Sequence, residues 1–322
     1  MTKLFKAVIS LFRLYRKTKN FQIAYKLLPE IFTPSIHSEA TTNNNEIFFP
    51  GYNKSFTHNQ IRLFKKHGEL FLKFIKARNI SFVAPNKKTE VVAIQLNRKN
   101  VLLQAFDYNS LKVIEEIFID QLYDFTDSRN YVVCDVGMNV GAASLYFSSL
   151  NNVTKVYGYE PFANTFAIAN ENIQMNPDLA KKIDTFNYGL GKDNTQLKVP
   201  DPVNGFLGGT TTDFVIQQLP GNLKTSSVTI EIKSICDELA TIKQKHPDDN
   251  IILKLDCEGA EYEILEALHE QSMINHISIY MIEYHLRGKK ELIRVLSENQ
   301  FIIMSPTSED VNPYGMLYAI KH

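Results

Sequence analysis

The chain has 322 residues, of which 44% are hydrophobic and 22% are charged, and its formal net charge at pH 7 is +0. This composition is typical of a globular protein with an ordinary core and excludes a disordered chain. Zero net charge, with no module of interleaved aromatic and basic residues, argues against a nucleic-acid partner. The three cysteines form no CxxC pair, which argues against a disulfide framework and favours a reducing, cytoplasmic location.

Residues 1–80 are predicted to form a helical N-terminal extension. Residues 3–17 place basic side chains on one helical face and apolar side chains on the other. Two interpretations stay open: a helix that covers the core of its own domain, which is the commoner use, or peripheral contact with an anionic membrane surface. The apolar part is too short for a secretory leader or a membrane span, so we expect neither.

Two further segments complete this extension. The polar stretch HSEATTNNNE, residues 37–46, is interpreted as a linker. Residues 57–78 are predicted to form one helix, with Thr57 as its N-cap.

From residue 81 onward the pattern changes. The alternating runs EVVAIQLN and NVLLQAFD predict a hairpin, and NSLKVIEEIFIDQLYDF predicts a helix. Short apolar strands then alternate with helices, which predicts an α/β domain over residues 81–322 with a mainly parallel sheet covered on both faces. The predicted strands are Tyr131–Val136, Lys155–Tyr159, Ile183–Asn187, Ile251–Asp256, Ile277–Glu283, Phe301–Met304 and Met316–Ile320, and the predicted helices are Gly141–Leu150, Ala163–Asn176, Ser234–Lys245, Ala260–Glu270 and Lys289–Glu298.

Residues 190–250 interrupt this alternation. They contain the Pro- and Gly-rich run PDPVNGFLGGTTTDF and then VTIEIKSI, which predicts an extra strand. Loops of this length are uncommon in compact domains and are often functional. A substrate-side flap and a solvent-exposed insertion are both compatible with the pattern.

The stretch YVVCDVGMNVGAASLYF, residues 131–147, runs from a strand through a turn into a helix, the place where an α/β sheet of this kind binds a ligand. A dinucleotide site needs the pattern GxGxxG, but Gly137, Asn139 and Ala142 stand at those positions. Two of the three glycines are missing, which weakens the case for a dinucleotide-binding oxidoreductase.

What the turn does contain is DxGxNxG, formed by Asp135, Gly137, Asn139 and Gly141. A carboxylate at the strand end is unsuited to pyrophosphate but suits an ammonium group. S-adenosylmethionine (SAM) carries an ammonium, has a carboxylate for the N–H groups of the turn and has no phosphate. Glu160 follows at the end of the next strand, about 20 residues on, where an acid can accept hydrogen bonds from ribose hydroxyls. The turn therefore predicts SAM.

The motifs DVGMNVG, YEP, LKLDCEGAEYEIL and MIEYH resemble those of the FkbM-type family of SAM-dependent methyltransferases. The resemblance covers the chain from about residue 90 to the C-terminus. It implies a Rossmann-like, mostly parallel seven-stranded sheet whose last strand is antiparallel, and methyl transfer to oxygen, often on sugars or secondary metabolites. It also implies a set of cofactor-binding residues: Asp135, Gly137, Asn139 and Gly141 for the methionine end, Glu160 for the ribose, and Asn187 and Tyr188 for the adenine.

Candidate catalytic residues follow two strands whose carboxyl ends should meet at one edge of the sheet. KLDCEGAE supplies Asp256 and Glu258, and IEYH supplies Glu283 and His285. An alcohol acceptor needs a base, so we hypothesise that Asp256 and Glu258 shape the reaction centre and that His285 or Asp256 is the base. The alternative is that these residues are structural. The same side chains could hold Mg²⁺, but their spacing is not diagnostic, so no metal ligand is assigned.

The predicted function is SAM-dependent O-methylation of a hydroxyl on a small molecule, a glycan or a secondary metabolite, with a place in glycan biosynthesis among the possibilities. A dinucleotide-binding oxidoreductase and a non-catalytic scaffold that keeps the SAM fold are the alternatives.

Overall fold

The structure is a computed structural model that describes residues 14–16, 18–19, 23–24, 41–43, 46–49, 52–65, 67–86, 89–96, 99–200, 227–306 and 313–321. Most of the predicted amphipathic helix 3–17, and residues 201–226 of the predicted flap, lie outside these described residues. The chain divides into two compact units, Met1–Asp124 and Phe125–His322.

The described part of the first unit contains helices and two small antiparallel sheets, with strand orders β1-β2-β3 and β4-β5-β6. The strands are β1 (Thr41–Asn43), β2 (Glu46–Phe49), β3 (Lys54–Thr57), β4 (Ile80–Asn86), β5 (Thr89–Leu96) and β6 (Lys99–Ala105). The helices are α1 (His58–Leu63), α2 (Gly68–Lys76) and α3 (Tyr108–Ile114), which continues into a π-helical segment, Glu115–Ile119. The hairpin predicted from EVVAIQLN and NVLLQAFD is confirmed as β5 and β6.

The first 80 residues are therefore not purely helical, which corrects the prediction. β1 lies inside the predicted linker and pairs with β2, which begins at the last linker residue, Glu46, and continues into an apolar run that favours a strand. The helix predicted over 57–78 is divided, and Lys65, with a left-handed φ of 48°, lies between α1 and α2. Thr57 does cap α1, since its Oγ1 accepts a hydrogen bond from the Gln60 N–H at 3.2 Å.

The boundary between the two units lies after Asp124 and not at residue 80, where the sequence predicts the methyltransferase domain to begin. In the described part of the chain, β4, β5 and β6 pair with one another and not with a strand of the large sheet. An alternating strand pattern shows that strands exist but not which sheet they join.

An aromatic cluster forms the core of the first unit. Phe71 is fully buried, and its ring centroid lies 4.9 Å from that of Phe56 and 5.1 Å from that of Phe64. Phe49 also contacts it, at 5.7 Å. Because the rings meet edge-on or tilted, each contact adds to the free energy gained from burial.

In the described part of the second unit, seven strands form one sheet in the order β15-β16-β14-β13-β7-β8-β9. β16 runs antiparallel to both of its neighbours and the other pairs are parallel. The prediction of a mostly parallel seven-stranded sheet with an antiparallel last strand is confirmed. The seven strands of this sheet are β7 (Tyr131–Val136), β8 (Val153–Tyr159), β9 (Ile183–Phe186), β13 (Asn250–Leu255), β14 (Ile279–Tyr284), β15 (Phe301–Met304) and β16 (Gly315–Lys321). Three further strands, β10 (Gly189–Gly191), β11 (Thr195–Pro200) and β12 (Ser227–Ser234), lie outside it.

Helices cover the sheet, as the burial of its central strand β7 on both faces indicates. Every residue of β7 is buried, so neither face of this strand can meet water. The helices are α4 (Ala142–Ser149), α5 (Ala163–Gln174), α6 (Pro177–Ala180), α7 (Ile235–Lys245), α8 (Glu261–Glu270) and α9 (Lys290–Glu298), with a 3₁₀ turn at Ile274–His276. None of the described helices has the length and apolar character needed to span a lipid bilayer.

The strand predicted from VTIEIKSI is confirmed as β12. It lies between β10, to which it is parallel, and β11, to which it is antiparallel. The described ends of the 190–250 insertion thus form a small sheet of their own, separate from the seven-stranded sheet.

The Phe71→Ala variant tests the aromatic core of the first unit. Removing a fully buried ring leaves a cavity, so we expect the free energy of unfolding to fall by about 3–5 kcal/mol. Urea denaturation measures the change. The matched control is Ile302→Ala at an exposed position of β15, which should cost less than about 1 kcal/mol. Equal losses in the two variants would contradict a core built around Phe71.

Candidate active site

The turn after β7 is built on left-handed backbone. Gly137, Asn139 and Gly141 have φ angles of 77°, 52° and 81°. A Cβ atom at Gly137 would lie 1.8 Å from the backbone oxygen of Asp256, so only glycine fits where the turn passes β13. The N–H groups of Gly137 and Met138 donate to the carbonyl of Tyr159 at 3.1 and 2.9 Å, which ties the turn to the end of β8.

Asn139 lies at the centre of this turn. Asparagine tolerates left-handed backbone better than most residues, which explains its presence here. Its N–H donates to Glu160 Oε2 at 3.0 Å. Its side-chain oxygen Oδ1 is buried and has no hydrogen-bond donor among the described residues. A buried acceptor without a donor is costly unless a ligand supplies one.

Asp135, which is predicted to meet the ammonium group of SAM, is held by side chains of the protein itself. The residue is fully buried. Its Oδ2 accepts a hydrogen bond from Ser144 Oγ at 2.6 Å. Its Oδ1 lies 3.0 Å from Lys254 Nζ, so the two buried side chains form an ion pair. The carboxylate therefore holds α4 and β13 together at the turn.

Lys254, the partner of Asp135 in this ion pair, is not among the residues predicted from the sequence. It is 2% exposed, and its Nζ donates to the carbonyl of Gly137 at 2.7 Å and lies 3.6 Å from Asp256 Oδ2. Burial lowers the pKa of Lys254, but the charges of Asp135 and Asp256 raise it above its usual range, so the side chain stays protonated. The sequence does contain a signal for this ion pair. A lysine lies inside the apolar run IILKL, and a buried lysine almost always has a partner of opposite charge.

Glu160 braces the turn from the end of β8. Its Oε2 accepts from the Asn139 N–H and its Oε1 from the Phe162 N–H, both at 3.0 Å. Burial raises the pKa of Glu160 to about 7, although these two hydrogen bonds act in the opposite direction. The carboxylate is close to half protonated at neutral pH.

The residues predicted to neighbour adenine lie beyond β9. Asn187 Nδ2 donates to the carbonyl of Glu160 at 2.9 Å, so it is joined to the site. The Tyr188 hydroxyl donates instead to Glu238 Oε1 at 3.0 Å, and Lys233 Nζ lies 3.9 Å from the centre of its ring. One face of the Tyr188 ring is therefore covered by a cation.

The second predicted group of residues does come together, at the carboxyl ends of β13 and β14. His285 Nε2 lies 4.0 Å from Asp256 Oδ1, 3.9 Å from Glu258 Oε2 and 3.9 Å from Glu283 Oε1. Asp256 follows β13, whereas Glu283 lies within β14 and His285 directly follows it. Because β13 and β14 are parallel neighbours, their ends meet at one edge of the sheet.

Glu261 organises this cluster, although its position suggests only a helix N-terminus. It is fully buried, and its Oε1 accepts from the Cys257 N–H at 2.9 Å and lies 3.1 Å from His285 Nδ1. Its Oε2 accepts from the Gly259 N–H at 2.9 Å. One carboxylate thus fixes both the loop before α8 and the imidazole ring.

This arrangement sets the charge environment of His285, which the sequence predicts as a candidate base. Burial alone lowers the pKa of His285, but the hydrogen bond and charge of Glu261, with the charges of Glu258 and Asp256, raise it to about 9. The raised pKa favours the protonated ring, which carries a positive charge among these acids. Burial also raises the pKa of Glu258.

Comparison with known proteins gives matches over the second unit. The methyltransferase FkbM domain family matches residues 135–303, more than half of the chain. Methyltransferase sdnD of Sordaria araneosa is 26% identical over 185 residues, which cover 49% of this chain and 69% of that protein. Methyltransferase 1 of Beauveria bassiana is 26% identical over 171 residues, which cover 49% of this chain and 66% of that protein.

Among solved structures, methyltransferase FkbM from Methylobacillus flagellatus KT is 17% identical, with a TM-score of 0.41, over 64% of this chain and 47% of that one. The chain thus spans about two thirds of these curated relatives and less than half of this solved protein. The family match begins at Asp135 in the turn and ends within β15, so it contains both groups of residues described above. This chain belongs to the FkbM family of SAM-dependent methyltransferases.

Proposed function

We propose that the chain binds SAM at the ends of β7 and β8 and methylates an alcohol oxygen held at the ends of β13 and β14. The acceptor is a hydroxyl of a small molecule, with sugars, glycans and secondary metabolites as the candidate classes. The observation that carries the proposal is the buried Asn139 Oδ1, an acceptor without a donor at the centre of the turn. An ammonium group is the donor that it suits.

The residues present fit SAM. We assign direct contacts with it to Asn139 and Glu160, and an indirect role to Asp135. Asn139 offers the acceptor, and Gly137 lets the backbone of the turn pass close to β13. Each Glu160 oxygen accepts one backbone N–H and keeps a second lone pair, which suits ribose hydroxyls. Asp135 contributes through Lys254, which holds the carbonyl of Gly137. We assign the surroundings of the adenine to Asn187 and Tyr188 as part of this proposal.

The acceptor side of the site supplies proton transfer. SAM, when bound, supplies a methyl group activated on sulfur, which keeps the electron pair of the broken bond while the acceptor oxygen gains the methyl and loses its proton. Asp256 and Glu258 offer the carboxylates that can take this proton. Their side chains are 28% and 35% exposed, so an acceptor can reach them. The His285 imidazolium holds both carboxylates in place by charge.

Three broader assignments complete the proposal. The three cysteines form no disulfide with one another, and Cys134 and Cys236 are buried, which supports a reducing, cytoplasmic location. The insertion over 190–250 is assigned a role as a substrate-side flap, because its described ends form a separate small sheet. Contact of residues 3–17 with a membrane surface stays a prediction.

The family match leaves no argument for an oxidoreductase. Measured turnover would distinguish an enzyme from a non-catalytic scaffold.

Calorimetry with SAM, S-adenosylhomocysteine and NAD tests the cofactor. We expect heat with the first two and none with NAD. Asn139→Gly removes the acceptor but keeps the left-handed turn, so it should weaken SAM binding by about 10- to 100-fold, the loss of one charge-assisted hydrogen bond. Asn139→Asp keeps an acceptor and is the matched control, with affinity near that of the wild type. Absence of heat with SAM on folded protein would refute the proposal.

Turnover is tested by following S-adenosylhomocysteine release with a panel of alcohol acceptors. Product with any acceptor identifies an enzyme. SAM binding without product across sugars, glycans and polyketide alcohols would support a scaffold.

The pH dependence of SAM binding tests Glu160. The ionised carboxylate is the form that accepts two hydroxyl donors, and its pKa in the free protein is raised to about 7. Protonation at pH 6 therefore opposes binding, and we expect SAM affinity to increase about tenfold from pH 6 to pH 8. Glu160→Gln should bind more weakly and lose this dependence. A wild-type affinity that is flat over the range would contradict the assigned role.

A further inference from the structure

Asp256, Glu283 and His285 place ligand atoms for a cation at one point. One oxygen or nitrogen atom from each lies within 4.8 Å of the others. His285 Nε2 is 4.0 Å from Asp256 Oδ1 and 3.9 Å from Glu283 Oε1. The three side chains come from the ends of two parallel neighbouring strands, so the sheet itself holds them together.

His285 provides an independent second observation, because the ring is held as a metal-binding histidine is held. It is 7% exposed, and its Nδ1 lies 3.1 Å from the fully buried Glu261. Glu261 is an acceptor there, so Nδ1 donates and Nε2 points at the carboxylates. Nε2 makes no hydrogen bond within the part of the chain that the structure describes, and an ion bound there would take the place of its proton. Histidines that bind metals almost always give their other N–H to such a carboxylate.

The separations suit a shared ion. Divalent cations bind carboxylate oxygen and imidazole nitrogen at about 2.0–2.2 Å, so two ligands of one ion lie at most about 4.2 Å apart. The distances from His285 Nε2, 3.9–4.0 Å, are within this limit, whereas the three ligand atoms together are held only to within 4.8 Å, so the carboxylates must move inward to share one ion. The side chains of Asp256 and Glu283 are 28% and 35% exposed, which leaves them room to adjust and leaves part of the coordination sphere open.

We propose that Asp256, Glu283 and His285 bind a first-row divalent cation such as Mn²⁺, and that this ion takes the acceptor hydroxyl as a further ligand. The mixed imidazole and carboxylate set favours such an ion over Mg²⁺, which prefers oxygen ligands alone. The second part rests on the proposed function. Binding of the acceptor to the ion would favour one class of acceptor, alcohols with a neighbouring oxygen that can also bind the ion.

The chemistry with the ion stays a methyl transfer and involves no change of oxidation state. Coordination to the cation makes the acceptor hydroxyl more acidic. Its O–H bond breaks and the proton goes to Glu258, the carboxylate outside the ligand set. The oxygen forms its bond to the methyl carbon as the carbon–sulfur bond breaks, and both electrons of that bond stay on sulfur.

Mn²⁺ binding to the full chain, measured by the loss of the free-ion electron paramagnetic resonance signal, tests the site without any need for an acceptor. We expect one ion per chain, and at least tenfold weaker binding in Glu283→Gln and in His285→Gln. Glu261→Gln should also weaken binding, by about 10- to 100-fold, because it loses the orienting acceptor. Asp178→Asn, at an exposed carboxylate on α6, is the matched control and should bind like the wild type.

SAM calorimetry in chelator separates this inference from the proposed function. We expect SAM affinity to be unchanged in chelator and in Glu283→Gln, which also shows that the variant is folded. No Mn²⁺ binding by the wild type, or equal binding by Glu283→Gln, overturns the ion site while SAM binding stands. Where an acceptor is turned over, chelator should stop product release and Mn²⁺ should restore it. Full turnover in chelator would refute the ion's part in catalysis.

Discussion

The ion pair between Asp135 and Lys254 is the interaction on which the rest of the site depends. Strand register sets it, because Lys254 stands directly beside Asp135 where β13 pairs with β7. Taking two charges out of water costs several kcal/mol for each ion, so such a pair persists only when its remaining donors and acceptors are satisfied. Ser144 supplies a donor to the acid, and the carbonyl of Gly137 accepts from the lysine. Satisfying the pair therefore fixes the turn.

The same lysine connects the cofactor side of the site to the acceptor side. Its Nζ lies 3.6 Å from Asp256 Oδ2, and Asp256 in turn lies 4.0 Å from His285 Nε2. Glu261 then closes the series with its contact to His285 Nδ1. Acids and bases alternate along this series from the end of β7 to the start of α8, so each buried charge has a neighbour of opposite sign. The two halves of the site are thus joined by one series of neighbouring charges.

Sequence pattern predicts the second unit well because its signals are local. The limits of the first and sixth strands of the large sheet, Tyr131–Val136 and Phe301–Met304, agree with the structure at both ends, since apolar runs flanked by polar residues mark buried strands. The first unit is harder. There the threonines of β1 lie in a polar stretch, and the short β3 directly precedes α1, so helical periodicity masks a strand.

The partners of the charged residues could not be predicted, because they lie far apart in the chain. From the sequence alone Asp135 would be taken for a free carboxylate, because Lys254, which strand register places beside it, is distant in the chain. Likewise the sequence alone suggests an ordinary pKa for His285, because only the fold shows that Glu261 and two further acids surround it. Composition and spacing identify which side chains carry the chemistry, and only the packed strands decide their protonation.

Exposure then separates the side chains that organise the site from those that can act in it. Asp135, Lys254 and Glu261 are buried almost completely, and each fixes backbone or another charge. Asp256 and Glu258, which surround the imidazole at the same edge, keep about a third of their side-chain surface open. A carboxylate that must exchange a proton with a substrate, or share an ion with it, needs this partial exposure. The buried Lys254 helps to keep these acids close together, because its positive charge lies 3.6 Å from Asp256 Oδ2 and offsets part of their mutual repulsion.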